Sequence, residues 1–180
     1  MAVTDYVLLK LSSMISDYGE EILGRMFADY ESVYKSSVDD FLSKNSIPME
    51  KRGECRTYIA INPNDSKIIG FFSIGVRCLQ IPDGCGLSKT MLRKLNRSED
   101  NVAQAYLLGQ LSRAEGYKGF GRILIDEALK KIKEAYEIVG CRLVRIDCTD
   151  RLIGYYEEHG FHYVKKNADK DLNQMLMIID

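Results

Sequence analysis

One stretch constrains the chain more than any other: residues 103–135 read strand, glycine-rich turn and long helix in a single pass. Residues 103–111, AQAYLLGQL, form the best candidate for a central strand. A turn holding Gly116, Gly119 and Gly121 follows. Ile123, Leu124, Ala128, Leu129, Ile132 and Ala135 then recur at helical spacing, the strongest amphipathic pattern in the sequence. Gly140 is placed to end that helix. Such a unit belongs to an α/β fold.

The remaining segments predict partners for that strand and helix. Residues 6–11 read as a first strand ended by Ser12 and Ser13. Asp17 is placed to cap a helix carrying Ile22, Leu23, Met26 and Phe27. A second helix starts near Ser36 or Ser37 and sets Val38, Phe41 and Leu42 on one face until Pro48 interrupts it. Residues 57–61 and 68–76 read as an antiparallel hairpin around the turn cluster 62–65. After Pro82, Asp83 and Gly84, a polar, basic segment carries Leu87, Met91, Leu92 and Leu95 at helix-like intervals. Residues 143–148 form the next strand, and a short helix with Leu152, Ile153, Tyr155 and Tyr156 stops at Gly160. Extended structure resumes at 161–164, and 175–179 supply a last strand. There are no repeats and no linker able to divide the chain. The expectation is one domain over residues 1–180 with a mixed sheet, residues 1–50 supplying an N-terminal strand and a helix pair.

Composition narrows the function classes. The chain has 180 residues, 46% hydrophobic and 28% charged, enough to bury a core. A net charge of −1 gives no bulk attraction to nucleic acid or membrane. No apolar run approaches the ~20 residues that span a bilayer. The start, MAVTDYVLLKLSSM, lacks the basic opening of a secretion signal. Five cysteines form no CxxC pair and only two histidines are present, so no metal site is expected. These features read as a cytoplasmic chain with reduced thiols. Charge is uneven, however: residues 1–50 hold four Lys/Arg against nine Asp/Glu. Lys89, Arg93, Lys94 and Arg97 cluster with no acid between Asp83 and Glu99. That cluster is either a solvated helix face or a positive rim that receives phosphate-bearing ligands.

The glycine-rich turn has the chemistry of an anion site. The first amides of a helix lack intrahelical partners, and the helix dipole favours negative charge beside them. Gly116, Gly119 and Gly121 remove side chains from that approach, while Lys118 and Arg122 add positive charge. An ordinary left-handed turn into a helix is the plainer alternative. A Walker loop would need Gly-Lys followed by Ser or Thr, and none occurs. A Rossmann turn would follow the first strand of its unit, whereas this one lies past the middle of the chain.

With these residues in view, a family resemblance emerges. Residues 116–122 resemble the acyl-CoA pyrophosphate loop of GNAT N-acetyltransferases, Q/R-x-x-G-x-G/A, with Gly119 and Gly121 at the small positions and Gly116 where the motif has Gln or Arg. Residues 152–161, LIGYYEEHGF, are similar to the family's A-x-x-F/Y-Y-E-x-x-G-F signature. The strand at 143–148 sits where the family has its fifth, and the strand beginning Asn173-Gln174-Met175 fits the same plan. Thr57-Tyr58-Ile59-Ala60, the hairpin 69–74, the basic insert and Leu108-Gly109-Gln110-Leu111-Ser112 further resemble a toxin subgroup that acetylates aminoacyl-tRNA.

The resemblance implies a GNAT fold: a mostly antiparallel sheet of six to seven strands flanked by helices. It also implies acetyl transfer from acetyl-CoA to a primary amine by direct attack in a ternary complex. Backbone groups of Gln110, Leu111 and Ser112 would then pair with the pantetheine arm. Residues Gly116, Tyr117, Lys118, Gly119, Phe120, Gly121, Arg122 and Ile123 would receive the pyrophosphate. Tyr156 takes the general-acid position, five residues before Phe161; the plainer alternative is a packed aromatic. Glu115, Asp147, Asp150, Glu157 and Glu158 are carboxylates near the motifs, and none is assigned as base; Asp150 reads as the cap of the short helix. His159 and His162 are separated by the stop at Gly160 and are not read as metal ligands, and Cys148 reads as a small buried hydrophobe rather than an acyl carrier. The acceptor is a small amine, a peptide or an aminoacyl-tRNA, the last with Lys89, Arg93, Lys94 and Arg97 as first contacts. A homodimer is implied by resemblance alone. From another class, Gly116 leaves open a non-catalytic binding module that keeps the fold.

Overall fold

The structure, a computed structural model, describes residues 5–33, 37–85, 87–95, 97–167 and 171–180. Seven strands form a sheet in the order β1-β2-β3-β4-β5-β7-β6. They are β1 Val7–Lys10, β2 Cys55–Ile61, β3 Ile68–Gln80, β4 Val102–Arg113, β5 Leu143–Cys148, β6 His162–Asn167 and β7 Leu172–Ile178. The β1–β2, β2–β3, β5–β7 and β6–β7 pairs are antiparallel, whereas β4 and β5 run parallel. Parallel neighbours need a long crossover; helix α6, Phe120–Val139, supplies it and ends at Gly140, whose φ is +85°. The mixed, mostly antiparallel sheet flanked by helices is the predicted architecture.

The chain packs as two compact units. The first comprises Met1–Gly75 and Gln110–Lys130. Its core gathers Leu11, Met14, Leu23, Phe27, Phe41, Leu42, Ile59 and Phe71. The second comprises Val76–Gly109 and Lys131–Asp180, with Leu79, Ile81, Ala105, Leu143, Val164 and Leu176 at its centre.

The N-terminal segment departs most from expectation. Ser12 and Ser13 do not end the first strand; they lie exposed within helix α1, Leu11–Tyr18. That helix forms because Leu11 and Met14, three residues apart, share one buried stripe. Asp17 is no cap, since it sits in the last turn of α1. The break falls instead at Gly19, whose φ of +78° closes α1 and opens α2, Glu20–Ala28. Of the residues predicted for the core, Leu23 and Phe27 are buried while Ile22 is 56% exposed.

Residues 37–51 form α3, Ser37–Asp40, a π-helical turn at Phe41–Asn45, and α4, Ser46–Lys51; Ser36 lies outside the described residues. Pro48 therefore does not stop the helix. It lies in the first turn of α4, directly after the π-helical turn that shifts the hydrogen-bond register. Further along, β3 runs four residues beyond its predicted end, to Gln80.

Candidate functional site

Two local structures carry the chemistry read from the sequence, one in each unit. The first surrounds the end of β4. Its register with β5 covers Tyr106↔Val144, Leu107↔Arg145 and Leu108↔Ile146. Farther on, Ala114 N–H donates to the Ile69 carbonyl at 2.9 Å, while Val33 N–H donates to the Arg113 carbonyl at 3.3 Å. Ser112 is buried and its Oγ accepts a hydrogen bond from the Tyr30 hydroxyl at 2.9 Å. Gly70 permits this packing, because a Cβ there would come within 2.7 Å of both the Ser112 carbonyl and Leu124 Cδ1. Gln110 and Leu111 are half-buried.

Beyond β4, Gly116 and Gly119 have φ values of +86° and +89°. At both, a Cβ would meet nothing within 4 Å. Glycine is therefore required by backbone conformation, and the space above the turn is open, as a docking pyrophosphate needs. Lys118 and Arg122 are exposed beside it. Not every amide there is uncommitted. Phe120 N–H donates to the Tyr117 carbonyl at 3.1 Å and Arg122 N–H to the Gly119 carbonyl at 3.2 Å, tightening the turn into α6. The Tyr117 hydroxyl accepts from Asn62 Nδ2 at 3.5 Å. Phe120 is 1% exposed, its ring meeting Tyr6 edge-on at 5.3 Å. The Tyr6 hydroxyl donates to Glu127 at 3.0 Å. Gly121 and Ile123 are half-buried in the first turn of α6.

The second local structure lies in the other unit. After β5, a 3-10 turn at Asp150–Leu152 leads into helix α7, Ile153–Glu157. Tyr156 sits on α7, 5% exposed, edge-on to Phe161 at 5.8 Å and to Tyr155 at 5.3 Å. Burial raises its hydroxyl above the ordinary phenol range, and Tyr155 and Cys148 push the same way. The group stays protonated at neutral pH and is available as a donor. Tyr155 is half-buried and aimed elsewhere, its ring 4.6 Å from that of His159.

Asp150 is not the cap predicted from the sequence. Thr149 precedes the 3-10 turn and Leu152 precedes α7, neither capping through its side chain, and the Asp150 carboxylate instead accepts from Asn173 Nδ2 at 2.6 Å, with Lys166 Nζ at 3.6 Å. The Asn173 hydrogen bond, and then Lys166, hold its carboxyl below the usual range. Asp147 forms a two-pronged ion pair with Arg145, at 2.9 and 2.7 Å. Glu115, Glu157 and Glu158 are exposed.

Cys148 is buried, and desolvation, followed by Asp147 and Asp150, pushes its thiol up to about 11. At that value the thiolate is scarce. Alkylation at pH 8 should be at least about 100-fold slower at Cys148 than at exposed Cys78, as mass spectrometry of partially labelled protein will show. His159 Nδ1 lies 2.7 Å from the Tyr155 carbonyl. Among the described residues, no group of three His, Cys, Asp or Glu side chains is arranged to hold a metal ion.

Three of the four basic residues, Lys89, Arg93 and Lys94, fall on a short helix of the second unit, α5, Lys89–Lys94, capped by the Ser88 hydroxyl, and Arg97 lies beyond it. Lys94 pairs with Asp180 at 2.8 Å, and Arg97 donates to Asn101 at 2.9 Å. Lys89 and Arg93 are exposed and, among the described residues, have no ion-pair partner. Sequence reasoning missed two residues that organise these places, Tyr30 and Asn173. A polar pair, Asn173 and Gln174, in a strand of apolar residues was the available signal for Asn173, and Tyr30 offered none.

No family model matches the chain. It is 22% identical over 134 residues to a probable toxin TacT from Sinorhizobium fredii (strain NBRC 101917 / NGR234), an overlap of 69% of this chain and 71% of the relative. Solved structures are similar over nearly the full length. AtaT complexed with acetyl-methionyl-tRNAfMet superposes with a TM-score of 0.73 and 16% identity, covering 94% of each chain. AtaTR bound with AcCoA gives a TM-score of 0.67 and 16% identity, covering 94% of this chain and 92% of that one. The chain has the GNAT fold. No described helix is long and apolar enough to cross a membrane.

Proposed function

We propose that this chain is an acetyl-CoA-dependent N-acetyltransferase whose acceptor is the amine of an aminoacyl-tRNA. The observation that carries the reading is the pair of left-handed glycines, Gly116 and Gly119, framing open space at the start of a twenty-residue helix. A fold shared with a protein complexed with acetyl-methionyl-tRNAfMet supports the choice of acceptor. Acetyl-CoA supplies the acyl group as a thioester. Gln110, Leu111 and Ser112 would hold the pantetheine arm through backbone groups. The turn Gly116–Ile123, with Lys118 and Arg122, would hold the pyrophosphate. The Tyr156 hydroxyl donates to the departing sulfur as negative charge develops there. Its raised pKa keeps the hydroxyl protonated across the neutral range, so a proton is in place when the sulfur leaves. The amine attacks the carbonyl directly, because Cys148, the covalent carrier weighed from the sequence, is buried and its thiol pushed up to about 11.

On this reading, exposed Lys89 and Arg93 are the first phosphate contacts. Binding of bulk tRNA should weaken steeply with salt, and Lys89→Ala and Arg93→Ala should each reduce the slope of log K against log salt by about 1. Filter binding across a salt series measures this, and a slope that neither variant changes removes α5 from the RNA interface. A second reading has its own observation. Gly116 lacks the Gln or Arg side chain of the motif, which favours a binding module that keeps the fold without the chemistry. Free thiol released from acetyl-CoA in the presence of charged tRNA decides between the two: release identifies the enzyme, and silence with retained acetyl-CoA binding identifies the module.

A further inference from the structure

The geometry points to Asn173 as the positioning residue for Tyr156: one buried side-chain amide ties the end of β5 to the turn that launches α7. The inference rests on the general-acid reading of Tyr156 given above. Asn173 is 2% exposed on β7, beside the buried Gln174 in a strand whose other residues are apolar. In the sheet register it lies between Cys148 of β5 and Lys166 of β6. Its Nδ2 donates twice, to the Cys148 carbonyl at 3.3 Å and to Asp150 Oδ1 at 2.6 Å. These are the last residue of β5 and the first of the 3-10 turn.

Only Thr149 separates those two acceptors, so the bonds fix the direction in which the chain leaves the sheet. Tyr156 comes six residues after Asp150, with no loop between the 3-10 turn and α7. A change in exit direction therefore swings the ring as a rigid extension of the turn. Lys166 reinforces the arrangement from β6: it approaches Asp150 at 3.6 Å and is itself held by Asp171 at 2.8 Å. At the other end of α7, Phe161 N–H donates to the Tyr156 carbonyl at 3.0 Å, so the short helix is pinned at both ends. The Asn173 amide cannot be replaced by an apolar group of equal size, because the Cys148 carbonyl would lose a donor. Displacing a catalytic group by about 1 Å costs on the order of 100-fold in rate.

The test is steady-state release of CoA thiol from acetyl-CoA with bulk aminoacyl-tRNA, alongside calorimetric titration with acetyl-CoA. Asn173→Ala should lower kcat by about 10- to 100-fold while acetyl-CoA affinity stays unchanged. Asp150→Ala, at an exposed position that does not threaten folding, should lower kcat in the same direction by a smaller factor. It carries the test alone if Asn173→Ala fails to fold by circular dichroism. Combined with Tyr156→Phe, Asn173→Ala or Asp150→Ala should have little further effect, since the hydroxyl it positions is gone. Wild-type kcat in the folded variants overturns the inference. So does a slow Tyr156→Phe enzyme in which the second substitution multiplies the loss in full. A Tyr156→Phe variant with unchanged kcat overturns the general-acid reading itself, a result separable from the other two.

Discussion

Replacing Tyr156 with phenylalanine is expected to lower kcat by about one to three orders of magnitude with little change in affinity for acetyl-CoA. The ring is 5% exposed and wedged against Phe161 and Tyr155, so removing one oxygen leaves the packing intact. On the proposed mechanism, what disappears is the donor to the sulfur leaving group. Burial raises the hydroxyl's pKa, so wild-type activity should show no loss from Tyr156 ionisation across neutral and mildly alkaline pH. Stopped-flow detection of released thiol, with calorimetry for the affinity, reads both quantities. A rate indistinguishable from wild type would exclude Tyr156 from the chemistry.

The second large effect is at the turn. Gly119→Val should weaken acetyl-CoA binding by about two orders of magnitude or more, equivalent to roughly 3 kcal/mol. Two causes combine. At φ of +89° a β-branched residue is strained, costing on the order of 1–2 kcal/mol of stability. Its side chain also projects into the space that the pyrophosphate would occupy, where a Cβ meets no protein atom. The fold should survive, with a melting midpoint lowered by several degrees. Calorimetry and circular dichroism separate the two losses. Folded protein with wild-type affinity would refute the assignment of this turn.

Elements with one dominant local signal were legible in the sequence. The strand Leu143–Cys148 and the helix ending at Gly140 appear where the apolar periodicity and the left-handed glycine put them. The pattern around Gly160 likewise gave the stop after α7 correctly, with its N–H bonded to the Glu157 carbonyl at 2.9 Å. Errors arose where two signals competed. Ser12 and Ser13 resemble a strand end, but burial of Leu11 and Met14 outweighs their weak local preference. Asp17 resembles a cap only if the conformational freedom of Gly19, two residues on, is overlooked. Asp150 is the most instructive: its cap reading was local, whereas its real partner, Asn173, lies 23 residues away on another strand. Long-range pairing of that kind leaves no trace in spacing. For the same reason, the Tyr30–Ser112 bond across 82 residues could not be foreseen.

The contact of Tyr6 with Phe120 and Glu127 gives the N-terminal edge a thermodynamic stake in the turn. Whatever tightens residues 116–122 must also steady the segment leading into β1, and fraying there must loosen the turn in equal measure, since linkage is reciprocal. On the proposed reading, cofactor capture at this turn and docking of the first strand are therefore coupled through Tyr6.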